Sequence, residues 1–165
     1  MKLYHGSTLI VDNPKVNRNE KDTDFGPGFY LTTSLEQAIK WAKTKMHRKE
    51  VSIGYVSFYD FDFDINHTDL KFRQFKQADV KWLRFVTNNR NGITVSNKAD
   101  LTIGPVADDN VYKTIRFFET GVYDEDETIK RLKTETLHDQ WVIHTSDAIK
   151  LLKFEKFVEV TEEEK

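Results

Sequence analysis

Residues 24–32 read DFGPGFYLT: two glycines flank a proline, and an aromatic-rich segment follows at once. Gly26 and Gly28 permit positive φ angles and let other groups approach the backbone closely. Pro27 stiffens the joint between the two glycines. The pattern therefore predicts a sharp, fixed entry into a strand over residues 28–32.

The two aromatic residues of this stretch should have different surroundings. Phe29 and Tyr30 are predicted to point to opposite faces, because side chains alternate along a strand. One ring should pack in the core, and the other could offer a flat aromatic face to a ligand. The alternative for Tyr30 is an ordinary half-buried tyrosine in a strand.

The segments around this strand indicate a mixture of helices and strands. Thr33 and Glu36 fit a capping box, and apolar residues recur at spacings of three and four from Leu35 to Met46, which predicts a helix. Residues 51–65 are rich in β-branched and aromatic residues, which favour one or two strands. The other predicted elements are strands over 2–5, 100–106, 140–144 and 154–160, helices over 79–89, 108–120 (ended by Gly121) and 125–135, and a helical turn capped by Ser146. Because strands and helices do not alternate evenly, the predicted fold class is α+β.

Length and composition favour one folded domain. A chain of 165 residues suits one hydrophobic core, and its 38% hydrophobic and 32% charged residues are typical of a globular protein. We expect a single domain over residues 1–160 and an acidic tail over residues 161–165. The N-terminus lacks the apolar run of a signal peptide, and no stretch approaches the roughly 18 apolar residues of a membrane span. We therefore expect a cytoplasmic protein, or a domain released from a larger chain, with no membrane contact.

Charge and residue types exclude several kinds of site. The formal net charge of −2 argues against a non-specific nucleic-acid binder, although a local basic groove could still hold nucleic acid. Residues 40–49 are locally basic, as is typical of a solvated helix face. The chain has no cysteine, which excludes disulfides and thiolate metal sites. No metal site is predicted, because none of the histidines at positions 47, 67, 138 and 144 has metal-ligand spacing.

Two further groups of residues could carry chemistry. In LYHGS, residues 3–7, the imidazole of His5 could hydrogen-bond a hydroxyl, and the bare backbone of Gly6 could pair with an amide. Alternatively, His5 only satisfies a turn. Arg90 follows Asn89 at the end of a predicted helix, where it could complement the helix dipole or grip a phosphate bidentately.

LYHGS, the loop after it and DFGPGFYLTTSLEQAIKWA together resemble the NAD-binding core of the diphtheria-toxin-like ADP-ribosyltransferases, which include the poly(ADP-ribose) polymerases. In that group a His-Gly strand is followed by a Gly-x-Tyr strand and a helix with a small-residue stripe. Residues 137–152 resemble the family's final motif, an acidic residue that opens a strand ahead of a Leu-Leu segment. The chain is most similar to an uncharacterised bacterial branch, whose HGS, DFG-x-GFYLT, Asn-Arg and Gly-Pro-Val-Ala-Asp segments correspond to residues 5–7, 24–32, 89–90 and 104–108.

The resemblance implies a fold and a role for several residues. The fold would be a split, mostly antiparallel β core with helices around it, and NAD would bind in the cleft between the two half-sheets. His5 would hydrogen-bond the adenosine-side ribose, the backbone of Gly6 would pair with the nicotinamide carboxamide, and Tyr30 would stack on the nicotinamide ring. The loop over residues 8–25 would lie over the cofactor. The residues implied in cofactor binding are His5, Gly6, Ser7, Gly28, Tyr30 and Arg90, and the catalytic ones are Gln140, Tyr30 and His5.

Gln140 departs from the family pattern. The family has Glu at this position, and its carboxylate stabilises the positive charge that develops on the ribose as nicotinamide leaves. Gln can form hydrogen bonds but has no charge, and loss of the charge could cost several kcal/mol. The target could supply the missing charge, another carboxylate such as Asp139 or Asp100 could replace it, or the pocket could bind without turnover. Gln140 could also be an ordinary polar residue at a strand edge.

The function implied by the resemblance is NAD-dependent mono-ADP-ribosylation of a protein or nucleic acid, with NAD as substrate and nicotinamide as product. Such a protein could be a bacterial toxin or effector with an antitoxin partner. One alternative is a non-catalytic module that binds NAD, ADP-ribose or a nucleotide in the same cleft. Another is a protein-interaction domain that kept only the fold.

Overall fold

The computed structural model describes residues 1–19, 23–64, 68–93, 99–107, 109–133 and 137–162. Some sequence predictions fall outside these described residues. They concern His67, Asp108, the end of the helix predicted to reach residue 135, and the last three residues of the acidic tail.

The described residues form short strands and helices in a mixed order. The strands are β1 (Lys2–Ser7), β2 (Phe29–Leu31), β3 (Gly54–Phe61), β4 (Phe72–Gln74), β5 (Leu101–Pro105), β6 (Asp139–Ile143) and β7 (Leu152–Val160). The helices are α1 (Leu35–Lys49), α2 (Val80–Arg90), α3 (Asp109–Glu119), α4 (Glu125–Leu132) and α5 (Ser146–Ile149).

The strands build two sheets that are mostly antiparallel. One has the order β1-β3-β7 and is antiparallel throughout. The other has the order β2-β6-β5-β4, in which only the β4–β5 pair is parallel. A single bridge, Tyr4 with Thr32, links β1 to the residue after β2. The predicted α+β class is therefore confirmed.

Three clusters of buried side chains hold the layers together. The first draws on both sheets, the second lies between the four-stranded sheet and helices α2 to α4, and the third lies between α1 and the three-stranded sheet. Their main members are Leu3, Phe29, Tyr59 and Ile143 in the first, Phe25, Trp82, Ile115 and Val142 in the second, and Ala38, Ala42, Met46 and Val56 in the third. Val142 and Ile143 serve different clusters because consecutive strand residues face opposite sides.

Helix α1 begins one residue later than predicted. Its N-cap is Ser34, whose hydroxyl accepts a hydrogen bond from the backbone N–H of Gln37 at 3.1 Å. Thr33 was expected to be the cap, but its hydroxyl donates to the carboxylate of Asp139 instead. The predicted apolar stripe is buried at Ala38, Ala42 and Met46, which confirms the helix.

The remaining predictions differ from the structure mainly at element ends. Asp79 caps α2 as predicted, and Gly121 follows α3 with φ of 75°. α5 is capped by Thr145 rather than Ser146. Of the one or two strands predicted over residues 51–65, the described residues contain one, β3. β4 was not predicted because it is only three residues long and mostly exposed.

Candidate functional site

A cavity of about 270 Å³ opens where the two sheets meet. His5 reaches it from the three-stranded sheet, whereas Tyr30 and Gln140 reach it from the four-stranded sheet. One face of α1 and the loops at residues 23–24 and 106–107 complete the wall. The lining residues are His5, Thr23, Asp24, Tyr30, Gln37, Lys40, Trp41, Thr44, Lys45, Arg48, Val106, Ala107 and Gln140.

His5 is neutral and has one fixed hydrogen bond. Its Nδ1 lies 2.6 Å from the carbonyl oxygen of Tyr30, and a carbonyl can only accept, so Nδ1 carries the proton. Burial, with the nearby charge of Lys45, lowers the pKa of His5 from 6.5 to about 3. In this tautomer Nε2 is a hydrogen-bond acceptor, which suits a hydroxyl donor. The ring stacks on Phe29, with 4.5 Å between centroids.

Tyr30 closes the turn that precedes it. Its hydroxyl accepts from the N–H of Phe25 at 3.1 Å and donates to the carbonyl of Gly26 at 2.7 Å. The ring lines the cavity, whereas Phe29 is 6% exposed and lies in the first core cluster. The predicted separation of these two rings onto opposite faces is confirmed.

Gln140 is buried at the floor of the cavity. It is 2% exposed, and its strand β6 lies between β2 and β5, so the interpretation as a strand-edge residue is wrong. Its Nε2 donates to the carbonyl of Pro105 at 3.2 Å and to Oδ2 of Asp24 at 3.3 Å. The amide therefore lies beside a carboxylate that the sequence did not point to.

Asp24 is held in the cavity wall by the end of α2. Its Oδ1 accepts a hydrogen bond from Nε of Arg90 at 2.7 Å and forms an ion pair with Nη2 at 2.6 Å, and each of the two side chains is 13% exposed. Asn89 adds a bond from Nδ2 to the backbone carbonyl of Asp24 at 3.2 Å. The Asn-Arg pair thus fastens the loop ahead of Gly26. The only sequence signal for Asp24 was its place at the head of DFGPGFYLT.

The two carboxylates proposed from the sequence lie elsewhere. Asp139 accepts from the hydroxyls of Thr32 and Thr33 at 3.0 and 2.9 Å, and from Trp141 Nε1 at 2.6 Å. It precedes Gln140 on a strand, so its side chain faces the opposite side. Asp100 accepts from the backbone N–H of Lys71 and from Thr145, each at 2.9 Å. Neither lines the cavity, so neither is placed to replace the missing carboxylate, which was one of the explanations that the sequence left open.

Gly6 and Gly28 have packing reasons to be glycine. A Cβ at Gly6 would lie 1.9 Å from the carbonyl oxygen of Ala38, because β1 touches α1 there. A Cβ at Gly28 would lie 2.4 Å from the side chain of Val142. Of the two glycines that flank Pro27, only Gly26 has a positive φ, 82°.

Among the predicted binding residues, Gly6, Ser7 and Gly28 do not line the cavity, and ligand contact by them stays a prediction. The carbonyl of Gly6 accepts from Lys45 Nζ at 2.8 Å. The hydroxyl of Ser7 lies 3.4 Å from the N–H of Leu9.

A second cleft of about 640 Å³ adjoins the cavity and shares Arg48 and Ala107 with it. Arg90 lies in this cleft, with its guanidinium 4.9 Å from the ring centre of Tyr112. Among the described residues, the two clefts together are lined by five basic side chains (Lys40, Lys45, Arg48, Arg90 and Arg116) and two acidic ones (Asp24 and Glu119). The local charge therefore favours an anionic ligand, although the whole chain is slightly acidic.

Sequence reasoning took the basic residues of α1 for a solvated face. In the structure Lys40, Lys45 and Arg48 recur along the side of α1 that faces the cavity. At 3.6 residues per turn the three side chains spread over about 140° of the helix circumference, with Arg48 between the other two. Their spacing in the sequence therefore does not mark a single face, and only the fold shows that they line the cavity.

Within the described residues, no three His, Asp or Glu side chains come together as metal ligands. In the same part of the chain, no helix has both the length and the apolar character needed to cross a membrane.

The chain matches a known protein family. Residues 1–154 match the family described as "Protein of unknown function (DUF3990)". No curated protein matches the sequence. Because the match extends over nearly the whole chain, the protein belongs to the DUF3990 family.

Proposed function

We propose that this protein has the ADP-ribosyltransferase-like fold, binds NAD in the cavity and transfers ADP-ribose to a macromolecule. The observation that carries the proposal is that His5, Tyr30 and Gln140, which are far apart in the sequence, line one cavity. These are the positions that the motif resemblance assigns to NAD. The split into two mostly antiparallel sheets is compatible with the proposal.

The chemistry of the lining fits NAD at three points. Nε2 of His5 is an acceptor for a ribose hydroxyl. The ring of Tyr30 offers a flat face to the nicotinamide ring. The basic residues of α1, with Arg48 shared by both clefts, suit a diphosphate.

In the proposed reaction the bond between the nicotinamide nitrogen and the ribose carbon breaks, and nicotinamide leaves with the bonding electron pair. Positive charge develops on the ribose, and an acceptor oxygen or nitrogen then bonds to the same carbon and loses a proton. Gln140 could hold the ribose through its amide, but it contributes no charge. No oxidation or reduction occurs.

The direct test is to incubate the protein with NAD labelled in its adenylate part, with and without cell extract, and to follow free nicotinamide and labelled macromolecules. Labelled protein or nucleic acid would establish a transferase and name the acceptor class. His5→Ala and Tyr30→Ala should abolish labelling. His47→Ala and Tyr123→Ala are matched controls that lie outside the cavity wall. Unchanged NAD binding in both cavity variants would contradict the proposal.

A second candidate function is binding of NAD or ADP-ribose without turnover. It is favoured by the uncharged Gln140, which is already bonded to the carbonyl of Pro105. A pure binder would show saturable NAD binding in a titration, no free nicotinamide and no label on extract.

A role as a bacterial toxin or effector acting in the cytoplasm, with an antitoxin partner, is part of the proposal and rests on the motif resemblance alone. Induced expression in bacterial cells should slow growth for the wild-type protein and not for His5→Ala. Equal growth of the two strains at equal protein levels would contradict this role.

A further inference from the structure

The cavity contains a carboxylate next to the residue that lacks one. We propose that Asp24 is a catalytic residue that supplies the negative charge absent from Gln140, so that the two side chains act together on the nicotinamide ribose. This inference rests on the proposed function, because it assigns a role within that reaction.

The two oxygens of Asp24 have different surroundings. Oδ1 accepts a hydrogen bond from Nε of Arg90 at 2.7 Å and forms an ion pair with Nη2 of the same side chain at 2.6 Å. Oδ2 accepts one longer bond from Gln140, at 3.3 Å. A carboxylate offers about four lone-pair sites, so Oδ2 keeps acceptor capacity on the Gln140 side of the cavity. A ribose hydroxyl bound beside Gln140 would therefore find an acceptor that carries charge.

The position of Asp24 is fixed before any ligand binds. Arg90 fixes its side chain, and Asn89 fixes its backbone carbonyl. The next residue, Phe25, is fully buried in the second core cluster. Electrostatic groups contribute most to catalysis when they do not have to reorganise during the reaction. A carboxylate held in this way, 13% exposed, meets that condition.

The step assigned to Asp24 requires no proton transfer. As the bond from nicotinamide to the ribose carbon breaks, Oδ2 accepts a hydrogen bond from a ribose hydroxyl, and its charge stabilises the positive charge on the sugar. Removal of one such electrostatic group typically lowers the rate by about 10²–10³-fold. A purely structural role, in which Asp24 only neutralises Arg90, makes a different prediction for the variants below.

The experiment compares Asp24→Asn, the double variant Asp24→Asn/Gln140→Glu and the control Asp139→Asn. For each variant, nicotinamide release, NAD affinity by calorimetry and melting temperature are measured. Asp24→Asn should lower nicotinamide release by about 10²–10³-fold and change NAD affinity by less than about threefold. The double variant moves the carboxylate across the 3.3 Å contact and should recover at least about tenfold of the loss.

Asp139→Asn is a matched control because it neutralises a hydrogen-bonded carboxylate that lies on β6, the strand of Gln140, but outside the cavity. It should lower the melting temperature and leave nicotinamide release per folded molecule unchanged.

The outcomes separate the inferred role of Asp24 from the proposed function. If the wild-type protein releases nicotinamide and Asp24→Asn releases it at the same rate, this inference is overturned and the proposed function stands. No release by the wild-type protein with any extract would overturn both. Parallel losses of melting temperature and NAD affinity in Asp24→Asn, without recovery in the double variant, would make Asp24 a structural partner of Arg90. If Asp24→Asn does not fold, the double variant decides alone, because the inference requires it to be active.

Discussion

The hydroxyl and the ring of Tyr30 have different partners, so one substitution can separate them. Tyr30→Phe keeps the ring in the cavity wall and removes the bonds to Phe25 N–H and to the carbonyl of Gly26. Leaving these backbone groups without a partner should cost about 1–3 kcal/mol in the free energy of unfolding. Urea unfolding measures this loss, and an NAD titration should show a change in affinity below about threefold.

Tyr30→Ala is the companion variant, because it removes the ring as well. If Tyr30→Phe loses as much NAD affinity as Tyr30→Ala, then the turn, rather than the aromatic face, determines binding.

Buried His5 makes stability depend on pH in a definite direction. The unfolded chain takes up a proton at the ordinary pKa of 6.5, whereas the folded state resists protonation of His5 down to about pH 3. Between these values the unfolded state binds more protons, so the free energy of unfolding should fall as the pH drops, by up to about 1.4 kcal/mol per pH unit. Burial also lowers the pKa of His144, which adds a contribution of the same sign.

The measurement is urea unfolding from pH 7.5 to pH 4 for the wild-type protein and His5→Gln. The variant can still donate to the carbonyl of Tyr30 but has no imidazole, so its stability should fall less steeply below pH 6.5. Identical slopes for the two proteins would mean that His5 is not held neutral by the fold.

Among the individual residues of the site, the sequence predicted some and missed others. His5, Tyr30 and Gln140 carry motif positions, and all three line the cavity. Asp24 was missed because an aspartate ahead of a glycine is an ordinary turn residue. Asp24 is held at the site by Arg90, which lies 66 positions further along the chain.

Helix α1 packs so closely on β1 that Gly6 has no room for a side chain. A Cβ at this position would lie 1.9 Å from the backbone oxygen of Ala38, and a helix backbone cannot move aside locally. Gly6→Ala should therefore destabilise the protein by about 3 kcal/mol, at the upper end of the usual cost of overpacking, because the clash is with backbone atoms. Thermal and urea unfolding measure the loss.

Gly54→Ala provides the matched comparison for this prediction. Gly54 lies on the neighbouring strand β3, where the nearest atom to a new Cβ is the sulfur of Met46 at 2.7 Å. A methionine side chain can change rotamer, so this variant should lose less than about 1.5 kcal/mol. Equal losses for the two glycines would contradict close α1–β1 packing as the cause.

Element types were more predictable than element ends. The apolar spacing of α1 and the Asp79 cap of α2 are local signals, and both helices form. The α1 cap was displaced by one residue because Asp139, distant in sequence, engages the Thr33 hydroxyl and leaves Ser34 to cap. β4 is defined mainly by its pairing with β5, and a three-residue sequence cannot show that.

Charge is distributed unevenly over the whole molecule. The chain has a formal net charge of −2, yet in the part of the chain that the structure describes the two adjoining clefts are lined by five basic and two acidic side chains. Overall composition could not predict this excess, because the basic residues come from three different helices. Arg48 belongs to both clefts, so it is the cation best placed to act on a ligand that spans them.

Under the proposed function, this uneven charge should make NAD binding sensitive to salt. Raising the ionic strength from 50 to 300 mM should weaken NAD binding by roughly threefold to tenfold, because salt screens the attraction between exposed basic groups and the diphosphate. Arg48→Gln should weaken binding by about fivefold at low salt and reduce the salt dependence. Arg131→Gln, on α4 and outside both clefts, is the control and should bind NAD like the wild-type protein. Calorimetric titrations at both salt concentrations measure these differences. If Arg48→Gln and Arg131→Gln behave alike, the ligand does not reach the residue that joins the two clefts, and binding is confined to the smaller cavity around His5 and Tyr30.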